Sequence, residues 1–374
     1  MLEVIGERRA LHRRHLHILL QEQIQNINLS CGTGDAYHGF EFMKERCKNL
    51  RKLNVSYLRH MNPNVLMGLV PCFSKLVSLN LRMTLTVDQV MDLVENWDRG
   101  LETRLFMSAG VRLSAEPTKP PSRLPLTTLV SVAEHVRIQS LETAARLCPE
   151  TRTVTLSNAW LPSTALYKLM VMEHLTSLSL TNCEGLTLDF QEGVLPLLAV
   201  CGERLQSLIL ANFTYVDIAG IGRACLDLQN LAFSNIAEYE PVGQPCDEWF
   251  NQLHALELWS DPHADLSPYM IRQLLLFSPN MTNMLFKGCE ILSDKLMTSI
   301  WEVNPMPKLS HLTLDHCHTI TGKVLQHVLN ADNELTVLRV WSCLNITKCI
   351  HTELVHHIKN ENLDVYFEWF EYDD

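Results

Sequence analysis

Residues 309–347 read LSHLTLDHCHTITGKVLQHVLNADNELTVLRVWSCLNIT and give nearly the same phrase twice, 26 residues apart (309 to 335). The matching residues of the first and second copies are Leu309 and Leu335, Leu312 and Leu338, Leu314 and Val340, and Cys317 and Cys343. The alternating L-x-L part of each copy predicts a half-buried strand, and the apolar residues that follow, three and four apart, predict a helix. Because one strand–bend–helix unit cannot bury either of its faces alone, the phrase predicts a stack of such units.

The same phrase recurs along most of the chain. Its copies begin at Ile24, Leu50, Leu76, about Glu102, Thr151, Leu175, Leu205, Leu228, Leu253, Met281, Leu309 and Leu335. Most intervals between these starts are 23 to 30 residues. The sequence therefore predicts an α/β solenoid, a horseshoe arc with a parallel sheet on its concave face and helices on its convex face.

Three parts of the chain depart from the repeat. Residues 1–23 predict an N-terminal capping helix, the repeats cover residues 24–362 in about 13 units, and residues 363–374 predict a last strand with an acidic, aromatic tail that caps the end. Four prolines interrupt the rhythm near residues 109–125, which predicts a loop, and a degenerate unit resumes at Leu126 and Leu129. A second irregular loop, 237–249, replaces much of a helix.

Composition excludes several classes of protein. The 374 residues are 47% hydrophobic and 20% charged, enough to bury a large core. A formal net charge of -11 argues against a general nucleic-acid coat, which needs clustered positive charge. No apolar run approaches the roughly 18 residues of a membrane span, and the first twenty residues lack the apolar stretch of a secretory signal. We expect a cytoplasmic or nuclear protein.

Nine of the twelve cysteines occupy repeat positions rather than a pattern of pairs. One set follows the strand motif: Cys183, Cys289, Cys317 and Cys343. A second set precedes the next motif: Cys47, Cys72, Cys148, Cys201 and Cys225. A thiol at a bend or helix end behaves as a small buried hydrophobe, so we expect packing roles and a reducing compartment.

Motifs of catalysis and metal binding are weak in this sequence. It contains no G-x-x-x-x-G-K-S/T phosphate loop, no G-x-S-x-G elbow and no H-E-x-x-H pair. The densest group of metal-ligand types is His311, Asp315, His316, Cys317 and His318. Strand alternation turns Cys317 inward while His311 and Asp315 lie on the exposed face, so these side chains do not converge as tetrahedral zinc ligands. We therefore expect no enzyme activity, no cofactor and no metal.

The side chains expected on the concave face change character along the chain. Early repeats present small polar residues, whereas later repeats present larger ones: Glu257 and Trp259; Asn283, Leu285 and Lys287; His311, Thr313 and Asp315; Val337, Arg339 and Trp341; Asp364 and Tyr366. Exposed Trp, Tyr and Arg are the residues most enriched in binding hot spots. The candidate protein-binding residues are Trp259, Lys287, His311, Arg339, Trp341 and Tyr366. Packing of the Trp rings against adjacent strands is the alternative explanation for them.

The combined pattern resembles the cysteine-containing class of leucine-rich repeats. The resemblance lies in L-x-x-L-x-L-x-x-C followed by an I/L-T/S bend, as in "CHTIT", "CLNIT", "CEGLT" and "CEILS", with a cysteine before the next leucine. That class is best known as the substrate-binding part of F-box proteins in cullin-RING ubiquitin ligases, and it also occurs in relatives without an F-box. No F-box is visible here, since residues 1–23 lack the L-P pair that would open one.

The resemblance implies a non-catalytic protein-recognition scaffold that selects substrates for a ubiquitin ligase. The alternative is a leucine-rich repeat adaptor or inhibitor unrelated to ubiquitylation. The expected partners are a protein or peptide substrate on the concave face and cullin-RING adaptor subunits, with no nucleic acid and no membrane. We expect the scaffold to be a monomer.

Overall fold

The computed structural model describes residues 20–28, 43, 46–54, 75, 78–80, 127–132, 138–157, 161–182, 188–240, 246, 249–260 and 267–370. The chain divides into two compact units, unit 1 at residues 1–175 and unit 2 at residues 176–374. Within the described residues, no helix is long and apolar enough to cross a membrane.

Parallel strands in chain order form the sheet of each unit. The strands of unit 1 are β1 (Asn26–Asn28), β2 (Lys52–Asn54), β3 (Ser78–Asn80), β4 (Thr128–Val132) and β5 (Thr153–Ser157). Those in the sheet of unit 2 are β6 (Ser177–Thr181), β7 (Ser207–Ala211), β9 (Asn230–Ser234), β11 (Ala255–Trp259), β12 (Asn283–Lys287), β13 (His311–Asp315), β14 (Val337–Trp341) and β15 (Tyr366–Phe370). Two short strands, β8 (Tyr215–Val216) and β10 (Glu238–Tyr239), pair as a separate parallel ribbon.

Helical segments connect most of the successive strands. The α-helices are α1 (Ile138–Leu147), α2 (Leu195–Cys201), α3 (Ile218–Ala224), α4 (Pro268–Leu275), α5 (Asp294–Trp301), α6 (Gly322–Asn330) and α7 (Lys348–Asn360). Three further segments are wound differently, 3₁₀ helices at Ser163–Val171 and Gly202–Arg204 and a π-helical turn at Phe190–Val194. The predicted order of strand, bend and helix is thus confirmed in most of the described repeats, whereas the described residues between β9 and β11 contain β10 and no helix.

Alternation along each strand places the core between sheet and helices. In β6, Leu178 and Leu180 are fully buried while the serines on either side are half-buried. Successive side chains of a strand point to opposite faces, so the L-x-L pair of every repeat packs on the same side of the sheet. The apolar stripe of each helix covers that side, as Val324, Leu325 and Val328 of α6 do.

The I/L-T/S bend of the repeat starts the next helix. Ser293 Oγ accepts a hydrogen bond from the backbone N–H of Leu296 at 3.3 Å, and Thr321 Oγ1 accepts one from Lys323 at 3.3 Å. These contacts satisfy backbone donors that have no partner inside the first turn of a helix. Ser and Thr therefore recur at the bend because they are good N-caps.

The thiols at the bend are packed and hydrogen-bonded, as predicted. Cys289 Sγ donates to the carbonyl oxygen of Leu258 at 3.5 Å, and Cys317 Sγ donates to that of Phe286 at 3.6 Å. Each thiol thus caps a carbonyl of the preceding strand while filling a small apolar space. Burial raises the pKa of Cys289 to about 12 and that of Cys343 to about 11.

We predict that thiol reactivity will separate these positions. At pH 8, iodoacetamide should modify the exposed Cys349 at least about 100-fold faster than Cys289 or Cys343, because the reagent attacks thiolate and needs access. Peptide mapping by mass spectrometry of the native protein, with a urea-unfolded sample as control, measures the rates. Modification of Cys289 at the rate of Cys349 would contradict the packing described here.

Some predicted features lie outside the described residues or differ from expectation. The Pro-rich loop at 109–125, the unit near Glu102 and most of the N-terminal capping segment are not among the described residues. In the loop at 237–249, the described part contains β10, which extends the structure with a ribbon rather than with a helix. The division into caps and solenoid stays a prediction.

Candidate functional site

Strands β11 to β15 place equivalent positions of the L-x-x-L-x-L-x-x-C repeat side by side, in rows across the sheet of unit 2. Positions are counted from the first leucine of the repeat, and the third, fifth and seventh form three such rows. The seventh-position row is Trp259, Lys287, Asp315, Trp341 and Phe370. The fifth-position row is Glu257, Leu285, Thr313, Arg339 and Glu368, and the third-position row is Ala255, Asn283, His311, Val337 and Tyr366. At a strand spacing of about 4.8 Å, each row is about 19 Å long. We call this surface, opposite the buried leucines, the open face.

A charged cluster occupies the middle of the seventh-position row. Asp315 is only 8% exposed, and its two carboxylate oxygens lie 3.0 Å from Lys287 Nζ and 2.6 Å from His316 Nδ1. Lys287 Nζ also lies over the ring of Trp259, 5.7 Å from its centroid. The ammonium group is therefore held between a carboxylate and an aromatic face, which fixes the long lysine side chain on the open face.

Aromatic rings and a second ion pair occupy the end of the open face at β14 and β15. Arg339 Nε donates to Glu368 Oε2 at 3.1 Å. Phe370 is 56% exposed, while Trp341 is half-buried and its Nε1 is buried without a hydrogen-bond acceptor. A surface pocket of about 450 Å³ lies here, and its lining consists of Lys287, Asp315, His316, Trp341, Glu368 and Phe370.

The opposite side of β15 anchors this strand to α7. The ring of His351 lies between Phe367 and Trp369, with centroid distances of 5.1 Å and 4.9 Å. Burial lowers the pKa of His351 from its usual value. Trp369 Nε1 donates to the carbonyl oxygen of Ile346 at 3.0 Å. These contacts hold β15 in register, so Glu368 and Phe370 have fixed positions on the open face.

The residue after five of the strands in unit 2 has a left-handed backbone conformation. The left-handed residues there are Asn212, Asn235, Gly288, His316 and Ser342, with φ between 50° and 66°. A Cβ at Gly288 would collide with the carbonyl oxygen of Ser260. Histidine and serine favour this conformation less than glycine and asparagine do. At His316, the turn places the ring against Asp315, beside the pocket.

The predicted binding residues all lie on the open face but form two groups. Trp259, Lys287 and Trp341 share the seventh-position row, and Arg339 lies next to it in the fifth-position row. His311 and Tyr366 lie in the third-position row, at the other end of the strands, where His311 Nδ1 is 2.9 Å from Ser310 Oγ. Trp259 is 46% and Tyr366 61% exposed. Their role in binding stays a prediction.

Three expectations about this face were wrong. Asp315 and Thr313 were expected to be exposed, yet each is 8% exposed; Lys287 and His316 contact the two carboxylate oxygens of Asp315. Asp364 precedes β15 and is not part of the strand. The open face continues instead through Glu368 and Phe370. The register of β14 with β15, counted from Val337, places these two residues in the same rows as their partners in β14.

The cluster of metal-ligand types in β13 does not converge. Cys317 points into the core, and His316 Nδ1 is directed to Asp315. In the described part of the chain, no three His, Cys, Asp or Glu side chains form a group that could hold a metal ion.

Solved structures with similar architecture identify the fold. Rad7, in the crystal structure of the Rad7 and Elc1 complex in yeast, is similar at a TM-score of 0.65 and 15% identity, covering 93% of this chain and 83% of that one. The chain is a leucine-rich repeat solenoid. No protein-family model and no curated protein matches this leucine-rich repeat sequence.

Two further solved structures are less similar to this chain. The TLR13 chain of the TLR13–ssRNA13 complex has a TM-score of 0.46 at 15% identity, covering 85% of this chain and 39% of that one. LegL7 from Legionella pneumophila, a leucine-rich repeat-containing protein, has a TM-score of 0.39 at 12% identity, covering 74% of this chain and 87% of that one.

Proposed function

We propose that this protein is a non-catalytic scaffold that recognises a partner protein on the open face of unit 2. The observation that carries the proposal is the seventh-position row, which puts Trp259, Trp341 and Phe370 beside fixed charges on one surface about 19 Å long. Aromatic side chains next to fixed charged groups are the composition of binding hot spots. An extended segment, at about 3.3 Å per residue, would span the row with about six residues.

We further propose that the partner is a substrate for ubiquitylation by a cullin-RING ligase, in the cytoplasm or nucleus. Two facts support this finer role: the resemblance of the repeats to those of F-box proteins, and the similarity of the fold to Rad7, which was solved in complex with Elc1. Neither fact concerns the open face itself. The recognition role and the ligase role are therefore separable, and they need separate tests.

Affinity purification tests the ligase role. The intact chain is recovered under mild conditions from the cells in which it occurs, and mass spectrometry identifies the associated proteins. We expect cullin and adaptor subunits at near-stoichiometric levels. A different partner recovered in their absence would favour the alternative role of an adaptor or inhibitor unrelated to ubiquitin.

A further inference from the structure

The pocket at the end of the open face has two aromatic walls on neighbouring strands. Trp341 ends β14 and Phe370 ends β15, and the two residues are paired in register. Glu368 is two residues before Phe370, on the same side of the same strand, and lines the same pocket. The pocket volume of about 450 Å³ is large enough for one long side chain. A side chain that binds in the pocket must therefore interact favourably with both aromatic rings and a carboxylate.

The charges of the pocket are unequal at its two ends. Near β12 and β13, Lys287 is paired with Asp315 at 3.0 Å. At the β15 end the lining carries Glu368, whose partner Arg339 is not a lining residue, so the lining contains two carboxylates and one ammonium group besides His316. The whole chain has a net charge of -11. This balance favours a cation over an anion at the β15 end.

Glu368 can accept a second cation in addition to Arg339. Its Oε2 accepts from Arg339 Nε at 3.1 Å, and its side chain is 36% exposed. A carboxylate has two oxygens and about four lone-pair sites, so one contact with Arg339 leaves acceptor capacity. A guanidinium group meets both demands of the pocket, since it stacks on aromatic faces and donates to carboxylates from one planar group.

We propose that the pocket between Trp341, Phe370 and Glu368 binds an arginine side chain of the partner protein. The guanidinium stacks on the aromatic walls and donates hydrogen bonds to Glu368, while the apolar part of the side chain packs against Phe370. The proposal rests on the proposed recognition function and adds its specificity: the recognised segment carries arginine. A carboxylate in this position would meet Glu368 directly, and the lysine of the lining, Lys287, is already paired with Asp315.

Two small probes test the pocket on the full chain. N-acetyl-arginine amide is compared with N-acetyl-citrulline amide, which has nearly the same shape without the charge. The readout is the indole N–H signal of Trp341 in ¹H–¹⁵N spectra of protein labelled at tryptophan, assigned through its loss in Trp341→Phe. The signal of Trp301, whose buried indole belongs to α5, is the internal control. We expect a saturable shift of the Trp341 signal with arginine amide and at least tenfold weaker binding of citrulline amide.

Three variants distinguish a direct contact with Glu368 from the overall electrostatic field of the protein. Glu368→Gln should weaken arginine amide at least fivefold, whereas Glu257→Gln, which removes the same charge from an exposed residue of the same row, should change the affinity less than twofold. Arg339→Gln should strengthen binding, because it releases Glu368 from its present partner.

Three results would each contradict the proposal that the pocket binds arginine. They are the absence of a saturable shift with arginine amide, equal binding of citrulline amide, and equal effects of Glu368→Gln and Glu257→Gln. Tighter binding of N-acetyl-glutamate amide would overturn it in favour of an anion site. In all of these cases a partner that still cross-links to the open face leaves the recognition function standing, so the two failures are distinguishable.

Discussion

Replacing Leu312 by alanine is expected to lower the free energy of unfolding by about 3 kcal/mol. Leu312 is fully buried in β13 and lies in register between Met284 and Leu338, so the lost methyl groups leave a cavity inside the stack. A repeat contacts only its neighbours, and a cavity in one strand weakens the contacts on both of its sides. The effect should therefore lie within the usual range for truncation of one buried leucine.

Urea unfolding followed by circular dichroism measures this change. Leu344→Ala is the matched control, because Leu344 is 76% exposed in the bend after β14 and should change the unfolding free energy by less than about 0.5 kcal/mol. Equal effects of the two substitutions would contradict the assignment of the L-x-L leucines to a shared core.

Replacing Trp341 by alanine is expected to weaken binding of the partner by about 2 kcal/mol, which is about thirtyfold in Kd. The ring is part of the seventh-position row and walls the pocket, so its removal takes away both contact area and the shape of the pocket. Titration calorimetry with the purified partner measures the loss, at a temperature where the variant is folded.

Trp341→Phe separates binding from stability at the same position. Phenylalanine keeps an aromatic wall and removes an N–H that is buried without an acceptor, so the variant should be as stable as the parent and should lose less than about fivefold in affinity. Unchanged binding by Trp341→Ala would show that the ring only packs against its neighbours.

The sequence predicts the strands of this protein well because each L-x-L pair has one way to be buried. The copies beginning at Leu309 and Leu335 become β13 and β14, and even the degenerate copy at Leu126 becomes β4. A shift by one residue would turn every leucine to the open face, so the pattern fixes the register as well as the strand.

The helical side is predicted less well because the apolar spacing of a segment does not determine how it is wound. The interval from Thr151 to Leu175 is 24 residues and contains the 3₁₀ helix Ser163–Val171. The interval from Leu175 to Leu205 is 30 residues and contains the π-helical turn Phe190–Val194. A 3₁₀ helix covers a given length with fewer residues, and a π-turn absorbs an extra one. Apolar spacing of three and four does not distinguish these forms.

The candidate site is predicted from the sequence less well than the strands but better than the winding of the helical segments. Repeat counting placed Trp259, Lys287 and Trp341 on one face, and the register puts all three in one row. The counting could not foresee that Asp315 would be covered by Lys287 and His316, since that depends on rotamers and on a left-handed turn at His316. An ion pair such as that of Lys287 with Asp315 joins residues about one repeat apart in the sequence. It can be identified only when the register of the paired strands is known.

The most direct test of the central claim is photo-cross-linking from two matched tyrosines. Tyr366 lies in β15 on the open face and is 61% exposed, while Tyr269 lies in α4 and is 65% exposed. Each is replaced in turn by p-benzoylphenylalanine, and the protein is irradiated with its purified partner. A partner that docks on the open face should cross-link from position 366 and not from position 269. Cross-linking from position 269 alone would contradict recognition by the open face.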